Sequence, residues 1–185
     1  ADFDGQALRV AAAAVARAAA SAGAASLAVA LPLEGLDAAA SAGAIAEAVR
    51  LALYSDLRFR SEPEPRSLPQ RVTLLGLAPE AAAGALGAVD GVCAGVELAR
   101  QLVAAPPNVA TPEALAACAA EIAGAHGLEL KVLERADCEA LGMGAYLGVS
   151  QGSDLAPKFI HLIYRPTVVS RRVALVGKGL TFDSG

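Results

Sequence analysis

This sequence lacks several things, and each absence removes a class of function. It has no cluster of basic residues. Its 15 Lys and Arg stand against 19 Asp and Glu, a net charge of −4, and the densest basic group, Arg58, Arg60 and Arg66, is interleaved with Glu62 and Glu64. Phosphate backbones are held by clustered cations, so no nucleic-acid partner is expected. No apolar run reaches the length of about 18 residues that a spanning helix needs without being alanine-dominated and broken by Arg17, so no membrane segment is expected. The first residues show no basic n-region followed by a cleavage site, so no signal peptide is expected there. Cysteine is scarce. The three, Cys93, Cys118 and Cys138, are odd in number and lack ligand spacing. Cys93 and Cys118 fall in helical patterns and read as small core residues, which favours a reducing compartment.

What is present is a large apolar fraction, 55% of 185 residues. That suffices for a core, and the length suits one domain and part of another. From Phe3 to about Ala22 the alanine-rich run predicts a helix whose apolar face has little bulk. Ser26 to Leu31 predicts a strand, and Asp37 a helix cap before Ile45, Val49 and Leu53 at helical spacing. Phe59 to Gln70, with Pro63, Pro65 and Pro69 among charges, must be a surface loop. Val72 to Leu77 predicts the next strand, and Pro79 opens a long helix that Pro106-Pro107 ends. The alternation is that of an α/β protein: an N-terminal α/β domain over 1–87, a linker helix over 88–105, and the start of a second α/β domain over 106–185.

In the second part, Thr111-Pro112-Glu113 combines an N-cap, proline at the first helical position and an acidic first turn. His126-Gly127 marks that helix's end, a structural role for the histidine. Leu128 to Leu133 alternates as a half-exposed strand, and a short helix is expected to begin at Asp137. Gly142, Gly144, Gly148 and Gly152 do not follow a strand as a dinucleotide fingerprint requires, and predict close packing of helix and loop instead. Phe159 to Tyr164 reads as a strand with His161 on the face of Phe159 and Ile163, a hydrogen-bonded core histidine.

The chemistry is concentrated in Val173-Ala-Leu-Val-Gly-Lys178-Gly-Leu-Thr-Phe-Asp183-Ser-Gly185. Its opening predicts a buried strand that delivers Lys178, between two glycines, and then Asp183 to the sheet edge where α/β proteins place their sites. A phosphate-binding P-loop fails on spacing, because Arg172 and Gly179 hold places that require Gly and Ser or Thr. A serine elbow fails because Ser184 lacks a glycine two residues before it. The remaining reading is a metal site. Aspartate is a hard oxygen ligand able to bridge two divalent ions, and a lysine amine joins it only when held neutral by the metal's charge.

Val-Gly-Lys178-Gly-Leu-Thr-Phe-Asp183-Ser-Gly resembles the signature of the leucyl aminopeptidases, the dinuclear-metal M17 peptidases, nearly verbatim. Leu98-Ala-Arg-Gln-Leu-Val103 with Ala105-Pro-Pro-Asn108-Val-Ala-Thr111-Pro112 is similar to the segment joining that family's two domains. Cys138 to Val149 and Pro157 to Tyr164 resemble the opening of its catalytic domain, particularly in the plant and algal branch. The resemblance implies that Lys178 binds one ion and Asp183 bridges two, either zinc or manganese. It implies release of N-terminal amino acids, leucine among them, from peptide substrates, and assembly as a homo-hexamer in the cytoplasm, chloroplast or mitochondrion. In the family the pattern continues into a second lysine, a further aspartate and an Asn-Thr-Asp-Ala-Glu-Gly-Arg segment. This sequence ends at Gly185 before any of them. It therefore resembles the first third to half of such an enzyme, truncated inside its active site, and pairing with the missing C-terminal portion is an expected partnership. Two other classes stay open: a non-catalytic, peptidase-like assembly subunit, and a nucleotide-binding α/β domain using Gly177-Lys178-Gly179.

Overall fold

The computed structural model of the chain describes residues 4–62 and 67–181. They belong to two compact units, 1–104 and 105–185. In the first, helix α1 (Gly5–Ser21) begins where Asp4 stays extended and its carboxylate accepts from the N–H groups of Gln6 and Ala7. Those donors have no partner inside a helix, and the aspartate supplies one. Strand β1 (Ser26–Val29) follows, then α2 (Ala38–Leu53), whose N-cap Asp37 accepts from the N–H of Ala40. Strand β2 (Arg71–Leu74) lies parallel to β1, with Ser26 opposite Arg71 and Val29 opposite Leu74. Helix α3 (Pro79–Ala104) completes the unit.

The first core joins Leu8, Ala12 and Ala16 of α1 to Val29, Ile45 and Val49, with Leu27, Leu31, Leu33 and Leu74 packed around them. The three α1 residues recur four apart and so share one face. The alanine-rich helix has a partner after all, α2. Small side chains let the two backbones come close, and Ile45 and Val49 supply the bulk that alanine lacks.

Helix α3 is fastened to α2 by charge as well as by packing. Arg50 donates from Nε and Nη2 to the two carboxylate oxygens of Glu97 at 2.8 and 3.0 Å, and from Nη1 to Asp90 at 2.9 Å. Arg100 and Arg58 donate to the carbonyls of Leu51 and Gln101 at 3.0 and 2.7 Å. Cys93 is fully buried beside this network, and burial raises its thiol pKa above the ordinary value.

In the second unit, Thr111 caps α4 (Pro112–His126) by accepting from the Ala114 N–H at 3.1 Å. The helix ends on Gly127 in the left-handed conformation, φ 63°, with His126 as its last residue. Strand β3 (Glu129–Leu133) comes next, then α5 (Arg135–Ala140), α6 (Gly144–Ser150) and β4 (Phe159–Ile163). β4 pairs antiparallel with β3, Lys131 opposite His161. Helix α5 begins two residues before the expected start because Glu134 takes the N-cap position, and its N–H donates to Asp137 at 2.9 Å.

Three expectations are corrected. The glycine-rich stretch forms α6, and a Cβ placed at Gly144, Gly148 or Gly152 would meet nothing within 4 Å, so close packing is not why those glycines are there. Only Gly142 of the four has a left-handed backbone, φ 69°. His161 is exposed rather than a core residue. Among the described residues the β3–β4 ribbon is two strands wide, and while Phe159 is met edge-on by Tyr146 of α6 at 5.7 Å, the same face is uncovered at His161. The third correction is at Val173 to Gly177, which forms no strand.

The bidentate Arg50–Glu97 pair generates a stability prediction. A double-mutant cycle on Arg50→Met and Glu97→Gln should give a coupling of about 1 kcal/mol in urea denaturation. Hydrogen bonding to Arg50 holds the Glu97 carboxyl below the usual carboxylate range, against the opposing effect of its burial. The contribution is therefore present at neutral pH and is lost as pH falls through that depressed value. Glu97→Gln should flatten this part of the acid limb, and an unchanged pH profile would refute the assignment.

Candidate metal centre

Residues 173–181 run without helix or strand and are exposed up to Leu180, with Thr181 half-buried. Val173, Leu175 and Val176 are 70%, 95% and 97% exposed, where a buried strand was expected. A strand's N–H and C=O groups need a neighbouring strand, and among the described residues the two sheets stop at two strands each. Among the described residues these consecutive aliphatics thus lie open.

Lys178 sits within this segment with an exposed side chain. Neither flanking glycine has a left-handed backbone, so the pair does not serve a strained turn. A Cβ at Gly177 would meet nothing within 4 Å, whereas one at Gly179 would lie 3.9 Å from Cδ1 of Leu115 in α4. This places the backbone beside Lys178 against the first turn of that helix. Asp183, the other expected ligand, lies outside the described residues. Among the described residues no group of three or more His, Cys, Asp or Glu side chains could hold a metal ion. The donor set on view is therefore one lysine amine, and it does not by itself make a metal site.

Sequence reasoning missed the most heavily engaged charge of this unit. Lys158, immediately before β4, has a side chain only 12% exposed. Its Nζ donates to both oxygens of Glu134 at 2.8 and 3.0 Å and lies 2.6 Å from Oε2 of Glu113. Its hydrogen bonds to Glu113 first and Glu134 second push its pKa above that of an ordinary lysine. The only sequence signal was a lysine abutting an apolar strand. Nothing in the order of residues shows that the starts of α4, α5 and β4 converge.

Comparison with known proteins settles what the fold and segment belong to. The model of the cytosol aminopeptidase family's catalytic domain matches residues 97–185, and that of its N-terminal domain matches residues 1–63. The chain belongs to the cytosol aminopeptidase family. A probable cytosol aminopeptidase of Synechococcus sp. is 64% identical over 182 residues, which is 98% of this chain and 36% of that protein. One from Thermosynechococcus vestitus is 56% identical across the whole of this chain and 37% of its own length. Among solved structures, a tomato leucine aminopeptidase mutant matches with a TM-score of 0.85 and 41% identity over 96% of this chain and 37% of its own. The bottromycin maturation enzyme BotP in complex with Mn matches with a TM-score of 0.72 and 32% identity, over 89% of this chain and 34% of its own. The chain thus spans about a third of the length of the aminopeptidases it matches, and its α/β fold is that of the family.

The three lysines differ sharply in surroundings. Lys131 and Lys178 are exposed, and Lys158 is held between two carboxylates. Limited acetylation of the folded chain followed by peptide mass spectrometry should modify Lys178 and Lys131 early and Lys158 last. Early modification of Lys158 would contradict its burial.

Proposed function

We propose that this chain serves a metal-dependent leucyl aminopeptidase, an enzyme that releases N-terminal amino acids, leucine among them, from peptides. The observation that carries this reading is the run Gly177-Lys178-Gly179-Leu-Thr-Phe-Asp183, lying inside the match to the family's catalytic domain. Lys178 would donate its amine to one ion, and Asp183, a hard oxygen ligand, would bridge two. When bound, two divalent ions, zinc or manganese, supply Lewis acidity toward the substrate carbonyl and lower the pKa of an attacking water. The manganese named with BotP supports a divalent-ion site of this kind.

What the chain's own residues contribute is position. The exposed Gly177–Gly179 segment leaves Lys178 free to enter a coordination sphere, and Leu115 backs the peptide on one side. Because the chain supplies two of the proposed ligands, the remaining donors come from the part of its relatives' length that it does not span. A cytoplasmic or chloroplast location fits relatives named cytosol aminopeptidase and a tomato structural neighbour, and assembly as a homo-hexamer is proposed from the sequence resemblance alone.

In the intact protein, Asp183→Ala should abolish binding of two equivalents of manganese and lower leucine-anilide hydrolysis by more than about a hundredfold, beyond the loss typical of residues that only support metal ligands. Lys178→Ala should lose one ion and keep the other partly occupied. Two equivalents of metal and normal hydrolysis in Asp183→Ala would overturn the reading.

A further inference from the structure

The Lys158 cluster has no part in either sheet's hydrogen bonding or in the apolar core of the first unit, yet it is the most enclosed ion network of the second. Its ammonium meets Glu113, the second residue of α4, and Glu134, the N-cap of α5, from a position one residue before β4. The lysine side chain is largely covered, while both carboxylates that meet it are more than half exposed. Glu113 alone would stabilise the α4 start through the helix dipole without any lysine. The extra contact therefore acts on where that first turn sits, by tying it to β4 and α5.

That turn is the surface against which the Lys178 segment lies. Leu115 is two residues from Glu113, and its Cδ1 faces the backbone of Gly179 at 3.9 Å from an added Cβ. Beyond this contact, Gly177 has open space and Val176 and Lys178 are exposed, so little else among the described residues locates the peptide. We propose that Lys158 is a positioning residue: by clamping Glu113 to Glu134 it fixes the first turn of α4, and through Leu115 it sets the place of the Gly177–Gly179 peptide that presents Lys178. Its functional meaning rests on the metal reading of Lys178.

Trypsin gives a metal-independent readout, because Lys178 is exposed and Arg171 and Arg172 in the same exposed segment serve as internal controls. Cleavage by protease follows the population of locally open states. In Lys158→Met, the rate of cutting after Lys178 relative to cutting after Arg171 and Arg172 should rise. Leu115→Ala, which leaves the clamp intact, should raise the same ratio, and it keeps the test decisive should Lys158→Met fail to fold. In the intact protein, Lys158→Met should also weaken manganese binding about tenfold, in the range for residues that support a ligand, while Asp183→Ala abolishes it. An unchanged cleavage ratio in both variants overturns the clamp and leaves the metal reading standing. A raised ratio with unaltered manganese affinity overturns the positioning role. Absence of manganese binding in the unmodified protein sinks the metal reading, and is distinguished from failure of the clamp by the trypsin ratio.

Discussion

A strand is stable only where its backbone groups find a neighbour and its side chains find a cover, and this requirement sorts the β-forming sequences of the chain. Ser26–Val29 finds Arg71–Leu74, and the faces of that parallel pair lean on the leucines around the first core. Glu129–Leu133 finds Phe159–Ile163, with α4 and α6 against parts of the ribbon. Val173 to Val176 has as strong a β-composition as any of these, yet among the described residues it is unpaired and open to solvent. Propensity in a strand is a measure of fit to a pleated, half-buried surface. Without that surface the same residues have nothing to fit.

How legible each element was follows from how local its cause is. The caps Asp37 and Thr111, proline at the start of α3 and α4, and the glycine after His126 act within one turn, and all were read from sequence. Asp4, Glu134 and α6 were not. Glu134 caps α5 while Asp137, the residue that looks like the cap, occupies the third helical position and accepts the Glu134 N–H. The helical fate of a seven-residue stretch with two glycines depends on neighbours that periodicity does not record. His161 shows the same limit from the other side. Its alternation with Phe159 and Ile163 was correct, but which part of a ribbon's face is covered is a tertiary fact.

The candidate site divides in the same way. Residue identity and spacing single out Lys178 and Asp183 and eliminate a phosphate loop, and the family match places them in a catalytic domain. What spacing could not give is the support beside Lys178. Leu115 and Lys158 stand 63 and 20 residues before Lys178 in sequence, and they come into play only through the approach of α4 and β4.

Charge takes a larger share of the positioning in this chain because its core is built from small residues. Alanine faces such as that of α1 permit close approach but offer little shape to fix the register of one helix on another, since interdigitation requires bulk. Helix α3 is rich in alanine and glycine, and it is Arg50, reaching Glu97 and Asp90, together with Arg58 and Arg100 on backbone carbonyls, that fixes how it lies on α2. Helix α4, whose buried residues are all alanine, is in the same situation, and Lys158 holds its first turn. Both pins rely on directional hydrogen bonds to carboxylates, which specify geometry even where their net stabilisation is small. A fold that gains its cohesion from alanine must obtain its alignment from somewhere else, and here the partly enclosed ion networks are the groups in position to supply it.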